Sequence, residues 1–243
     1  MALAFDFGNT RVKSAIFNEA DILPEKSFVF DYKDKKGFIS FISSLNFNEP
    51  VIVSSVKDHS LLDEIKSRFC DVTLLGLDLS LPFKMDYNTP ETLGKDRIAA
   101  CAGAMALFNE RPLLVIDAGT CITYDFISDT NVYMGGAISP GIEMKLKAMH
   151  HFTNKLPLAQ LHSEYQLFKP QKSTLDCLLE GAVAGTIHEI KGFIATFGSY
   201  KSLKVIINGG SAQYLDDKIE NSTFAAPNLV LIGLHQILKL NAH

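Results

Sequence analysis

Apolar positions along this chain change period repeatedly, and the changes outline its elements. Runs rich in β-branched and aromatic residues predict strands at Ala2–Phe7, Val12–Phe17, Ser27–Phe30, Val51–Ser54 and Val72–Leu75. Between them, Phe38–Leu45 and Leu61–Phe69 space their apolar side chains three and four residues apart, as helices crossing over a sheet do. The first half therefore reads as a strand hairpin followed by alternating strands and helices. From Leu79 to Pro90 the pattern breaks into LSLPFKMDYNTP, whose two prolines and turn formers predict a loop that displays polar groups. An Ala-rich helix is expected at Ile98–Phe108.

The strand signal returns at Leu113 as LLVIDAGTCITYDFI, and this segment matches the start of the chain. FDFGNTRVKSAIF and IDAGTCITYDFI share an apolar strand, an Asp, one residue, a Gly, polar residues and a second strand, and 111 residues separate Asp6 from Asp117. A spacing near half the chain fits a duplicated domain better than a short-period solenoid. The second half continues with a strand at Val132–Ile138, a turn at Pro140-Gly141 and helices at Ile142–His151 and Leu175–Phe197. A strand at Val205–Asn208, Gly209-Gly210 and a closing helix at Leu229–Leu240 complete it. No low-complexity linker divides the halves, which are expected as two tightly packed domains over residues 1–111 and 112–243.

Composition narrows the function classes. The 243 residues are 47% apolar, enough to bury a real core, and 23 basic against 27 acidic side chains leave a formal charge of −4. No diffuse excess of Lys and Arg is present to neutralise a nucleic acid or an acidic membrane surface. Cys70, Cys101, Cys121 and Cys177 lack metal-site spacing and are expected as small buried hydrophobes of a reducing compartment. Without a basic segment ahead of its first apolar residues, and without a run of roughly 18 uncharged apolar residues, the chain is expected to be cytoplasmic.

The chemistry is carried by two hairpin tips. Asp6-Phe7-Gly8-Asn9-Thr10 lies between two strands, where Gly lets backbone N–H groups approach an anion and Asn9 and Thr10 add donors. Asp6, at the end of a buried strand, can hold a hydrated Mg²⁺ beside phosphates. An ordinary hairpin turn uses the same residue types. A second copy, Asp117-Ala118-Gly119-Thr120, changes that balance, because two such tips can clamp one nucleotide. The pair resembles the two phosphate motifs of the superfamily of acetate and sugar kinases, heat-shock chaperones and actin, and Gly209-Gly210 resembles its adenosine motif.

Tyr87-Asn88-Thr89-Pro90 and Gly94-Lys95-Asp96-Arg97 narrow the resemblance further. With DAGTCITYD from Asp117 to Asp125 and GGAISPG from Gly135 to Gly141, the whole chain resembles the type III pantothenate kinases, whose motifs it carries in order across both halves. Thr89, between Asn88 and Pro90, is its one small departure. The resemblance implies an α/β fold of two duplicated ribonuclease H-like (actin-like ATPase) domains, with mixed central sheets flanked by helices. It also implies transfer of the γ-phosphoryl group of ATP to pantothenate, giving 4′-phosphopantothenate.

Asp96 is then the general base, and Tyr87, Gly94, Lys95, Asp96, Arg97 and Thr174 contact pantothenate, Thr174 across a dimer interface. ATP falls to Asp6, Phe7, Gly8, Asn9, Thr10, Arg11, Val12, Lys13, Gly119, Thr120, Gly209 and Gly210. Asp117 corresponds to a ligand of a monovalent cation, K⁺ or NH₄⁺, alongside Mg²⁺ with the ATP, and a homodimer is expected with the long helix from Leu175 as its seam. Plainer roles exist for several of these. Asp96 and Arg97 can be an exposed pair at a helix start, Ser173 or Thr174 an N-cap, and Lys13 a solvated strand residue. His150-His151, lacking a third ligand, reads as a helix C-terminus, Lys33–Lys36 as a solvated turn, and FVFDY as packing. Two rivals remain, another small-molecule kinase of the superfamily and a non-catalytic ATP-binding transcriptional accessory protein.

Overall fold

The computed structural model describes residues 1–45, 48–55, 60–161, 167–198, 200, 202–215, 218–219, 222–224 and 228–242. Chain contacts group into two compact units. The first holds Met1–Asn109, Thr130–Met134 and the C-terminal helix; the second holds Glu110–Asp129 and the chain from Gly135 onward to its last strand.

In the first unit, β1 (Ala2–Phe7) and β2 (Arg11–Phe17) form an antiparallel hairpin, extended by β3 (Lys26–Asp31). Helices α1 (Lys35–Ser44) and α2 (Ser60–Arg68) alternate with β4 (Val51–Ser55) and β5 (Val72–Leu74), giving the order β3-β2-β1-β4-β5 with β4 parallel to β1. Every β1 residue is buried, as its near-continuous apolar run requires of a strand covered on both faces. One face carries Leu3, Phe5 and Phe7 into a cluster with Phe38 and Phe69 from the helix side, where Phe5 meets Phe38 edge-on at 5.9 Å between ring centres. On the chain beyond β5 lie β6 (Lys84–Met85), a 3₁₀ turn at Pro90–Thr92 and α3 (Lys95–Leu107).

The second unit repeats the plan. β7 (Leu113–Ala118) and β8 (Cys121–Ile127) form the hairpin, β9 (Val132–Pro140) follows, and α4 (Ile142–His151) and α5 (Thr174–Phe197) lead to β10 (Lys204–Asn208), parallel to β7, and β11 (Ser222–Phe224). Its order, β9-β8-β7-β10-β11, is the order of the first sheet, and β6 pairs with the first residues of β9. The fold is α/β with two mixed, ribonuclease H-like sheets, the duplication that the hairpin sequences foretold.

The C-terminal helix α6 (Leu229–Asn241) groups with the first unit rather than with the half it follows in sequence. Its reason is packing. A Cβ on Gly233 would stand 1.7 Å from the Ala99 carbonyl oxygen, and one on Gly103 2.1 Å from that of Leu229, so α3 and α6 meet backbone to backbone. Sequence periodicity gives no sign of a contact this distant along the chain.

Three expectations need correction. Of the cysteines only Cys101 is buried, while Cys70 and Cys177 are exposed, because they lie just past α2 and on the outer side of α5. The Lys33–Lys36 turn is more than a solvated charge cluster, since the Asp34 carboxylate accepts from the Gly37 N–H at 3.0 Å and caps α1. The apolar face of α5 is not left for a seam; Leu179, Ala182, Val183, Thr186, Ile187 and Ile190 are buried inside the second unit.

His235 on α6, 1% exposed, stacks on Phe17 at 4.3 Å. Burial, then the nearby Lys239 and N-terminal charges, push its pKa down to about 4 from 6.5. The folded state therefore prefers neutral imidazole, a contribution complete above pH 6.5 and lost as pH falls through the window to about 4. Melting temperatures across that window should fall with acidification in the native chain, and less steeply in His235→Phe. Parallel slopes would contradict this account.

Candidate active site

The β1–β2 hairpin closes with the Gly8 N–H donating to the Arg11 carbonyl at 3.2 Å. Gly8, Asn9 and Thr10 form its tip, with the Asn9 and Thr10 side chains exposed. Asp6, 6% exposed, stands in register with Lys13 on one side and Ser54 of β4 on the other. The Ser54 hydroxyl is wholly buried and makes no hydrogen bond among the described residues. A Cβ on Gly8 would meet only the Arg11 carbonyl oxygen, at 3.4 Å, so intramolecular crowding alone is a weak reason for glycine there. Backbone left open in this way allows close approach by a ligand.

The β7–β8 hairpin is built alike, the Gly119 N–H donating to the Cys121 carbonyl at 3.0 Å, with Thr120 exposed at the tip. Gly119 again has room for a Cβ, at 3.6 Å from its nearest neighbour. Beside it, Asn208 of β10 is in register with Asp117, and the chain turns sharply at Gly209, whose φ of 106° suits glycine. A Cβ there would lie 2.5 Å from the Ala118 backbone and the Asp117 carboxylate, whereas one on Gly210 would meet nothing within 4 Å. Sheet order thus brings Asp117, Gly119, Thr120, Gly209 and Gly210 together within one unit. The parallel pairing of β7 with β10 does this, although about ninety residues lie between them in sequence.

Asp96 and Arg97 occupy the first turn of α3, whose N-cap is Gly94. Asp96 is half-buried, its Oδ1 accepting from the Arg97 N–H at 2.9 Å, and Arg97 is 6% exposed. A buried guanidinium at the head of an otherwise Ala-rich helix does not fit the exposed-pair alternative. Tyr87 packs edge-on against Tyr133 at 5.8 Å, Lys95 is half-buried, and the Pro90–Thr92 turn connects toward α3. Thr174 is exposed at the first residue of α5; the cap belongs to Ser173, whose Oγ accepts from the Asp176 N–H at 3.1 Å.

Two supports escaped the sequence reading. Tyr32, within the FVFDY segment expected as packing, donates its hydroxyl to the Gly8 carbonyl at 2.6 Å, and burial, then the charge of Asp6, raises its pKa. The second is a cluster around Glu189 behind the other hairpin. Neither tyrosine-after-strand nor a glutamate in a helix carries a sequence signal for such a role. Elsewhere, Nδ1 of His150 contacts the Leu156 carbonyl at 2.8 Å.

The family model of type III pantothenate kinases matches residues 2–196. Curated relatives of that name include one from Christiangramia forsetii, 40% identical with 99% of each chain covered, and one from Flavobacterium psychrophilum, 37% identical over 98% of each. Among solved structures, a Campylobacter jejuni protein of the Baf family superposes with a TM-score of 0.67 at 24% identity over 98% of each chain. The ethanolamine utilization protein EutJ from Carboxydothermus hydrogenoformans superposes with a TM-score of 0.53 at 11% identity, covering 97% of this chain and 89% of its own. These two speak to the fold alone.

Proposed function

The chain belongs to the type III pantothenate kinase family, and from that premise we propose that it phosphorylates pantothenate with ATP at the head of coenzyme A biosynthesis, Asp96 acting as general base. The observation that carries the reading is that each unit carries the same kind of tip. Each unit carries a carboxylate one residue before the end of its central strand, then a roomy glycine and an exposed hydroxyl, in Asp6–Thr10 and Asp117–Thr120. Phosphoryl transfer needs positioning and charge neutralisation more than covalent help, and each tip offers backbone and hydroxyl donors to phosphate.

In this reading Asp6 to Lys13, Gly119, Thr120, Gly209 and Gly210 hold ATP, with the open side of Gly210 taking the nucleoside. Asp96 accepts the proton of the primary hydroxyl as it attacks the γ-phosphorus. The Arg97 fork matches the substrate carboxylate, and Tyr87, Gly94 and Lys95 complete the pocket. Asp6 beside the unpartnered Ser54 hydroxyl is an all-oxygen donor set suited to Mg²⁺ through water, and Asp117 beside Thr120 to K⁺ or NH₄⁺. When bound, these cations screen the phosphate charge. The non-catalytic rival has no use for a general base at that position.

We propose a homodimer that uses the glycine face of α5, opposite the apolar face buried in its own unit. This outer face presents Gly181, Gly185 and Gly192, around which a Cβ would meet nothing within 4 Å, so a second helix can approach closely and bring Thr174 to the neighbouring substrate. We propose a cytoplasmic enzyme, since a kinase of this family draws on the ATP there; no helix among the described residues is long and apolar enough to cross a membrane. Coupled ADP release from ATP and Mg²⁺, with and without pantothenate and in Na⁺ or K⁺ buffer, tests the activity. Pantothenate-dependent ADP, faster in K⁺ and abolished by chelation, is expected from a species of twice the chain mass in light scattering. ADP release indifferent to pantothenate in every buffer would refute the assignment, and a solution mass of one chain would refute the dimer.

A further inference from the structure

Behind the second hairpin, four elements converge on one carboxylate. The Tyr124 hydroxyl of β8 donates to Glu189 Oε1 at 2.7 Å, and the Ser139 hydroxyl of β9 donates to the same oxygen. Lys145 of α4 donates to Oε2 at 2.7 Å and to Thr186 Oγ1 at 2.8 Å, and the Thr186 hydroxyl donates a hydrogen bond to the Ala182 carbonyl at 2.7 Å. The Lys145 and Glu189 side chains are only 20% and 25% exposed. Burial alone would raise the Glu189 pKa, yet the bonds from Lys145, Ser139 and Tyr124 outweigh it and hold the carboxyl below its ordinary value. Burial, then the adjacent carboxylate, drives the Tyr124 hydroxyl upward. The group is thus an ionised, charge-assisted bracket.

What the bracket grips is the turn from β9 into α4. Ser139 sits two residues before Gly141, and the Lys145 N–H donates back to the Gly141 carbonyl at 2.9 Å, so the turn is held at both ends. Gly141 in turn rests on the phosphate hairpin: its N–H donates to the Thr120 carbonyl at 3.0 Å, and its Cα lies so near that a Cβ would stand 2.3 Å from the Gly119 oxygen. Hydrogen bonds and packed backbone therefore run unbroken from Glu189 through Ser139 and Gly141 to Thr120.

We propose that Glu189, with Lys145 and Ser139, is a positioning residue for phosphoryl transfer, fixing where the Gly119-Thr120 tip meets the nucleotide. The inference rests on the nucleotide role given above to that tip. A carboxylate that only stabilised the fold would hold the unit together without setting the height of the tip. Glu189→Gln keeps the shape and removes the charge, and Ser139→Ala removes one bond and leaves the ion pair. KM for ATP should rise about tenfold in Glu189→Gln and about threefold in Ser139→Ala, with KM for pantothenate unchanged, because misplaced support degrades only what it supports.

Both variants are assayed well below their melting temperatures, next to Thr120→Ala. If Glu189→Gln does not fold, Ser139→Ala and its KM for ATP decide the matter. A lowered melting temperature with KM for ATP unchanged, while Thr120→Ala raises it, would overturn the positioning role and leave the hairpin assignment standing. If Thr120→Ala also leaves KM for ATP unchanged, the hairpin assignment fails and the proposal falls with it.

Discussion

Asp96→Asn should lower kcat for pantothenate phosphorylation by about 10²- to 10⁴-fold, the usual contribution of a positioned general base, or about 3–5 kcal/mol of barrier. The substitution isolates proton acceptance. An asparagine oxygen can still accept from the Arg97 N–H, as Asp96 Oδ1 does at 2.9 Å, so the first turn of α3 and the buried Arg97 keep their places. The amide oxygen is too weak a base to take a hydroxyl proton. KM values should therefore move little while kcat collapses, the signature of an interaction made only in the transition state. Coupled ADP release at saturating ATP and pantothenate measures it. A kcat within threefold of the parent would remove Asp96 from the role of base and leave it a helix-start carboxylate.

Gly141→Ala should reduce kcat/KM for ATP by about a hundredfold, equivalent to about 3 kcal/mol, the order of loss expected when a supporting backbone shifts by an ångström. The methyl has nowhere to go. Its carbon would stand 2.3 Å from the Gly119 carbonyl oxygen and 2.6 Å from that of Thr120, and backbone in a hairpin cannot swing aside as a side-chain end can. Either the hairpin lifts or α4 retreats, and both spoil the tip. Gly8→Ala is the contrast, since the new methyl meets only the Arg11 oxygen at 3.4 Å and the protein itself can accommodate it. Its cost should show in nucleotide binding and little in melting temperature. Unchanged steady-state kinetics with ATP in Gly141→Ala would mean that the second hairpin does not touch the nucleotide.

Local pattern made most elements readable in advance. The hairpin at Ala2–Phe17 was legible because both strands are apolar and the turn residues between them are Gly, Asn and Thr. The long helix was legible from its period and its Ser173 cap. Short edge pieces were not: β6 has two residues and β11 three, and strands of that size owe their existence to a neighbour's unpaired backbone groups. Asp34 was read as part of a charged turn because capping depends on backbone dihedrals that a run of Lys and Asp does not announce.

The sequence by itself determined the chemistry on offer: which carboxylates, glycines and hydroxyls exist, at which strand ends they fall, and that the set is written twice. These follow from short-range rules, since period, turn residues and motif order act over a few residues at a time. Tertiary structure alone decided which of them become neighbours. It set Gly209 against Asp117 through a parallel strand pair, sent α6 back to the first unit by a backbone contact between Gly103 and Gly233, and gathered Tyr124, Ser139 and Lys145 around Glu189. Such contacts join residues far apart in the chain, and only the closing of sheets and the burial of their faces selects among the many pairings that local pattern allows.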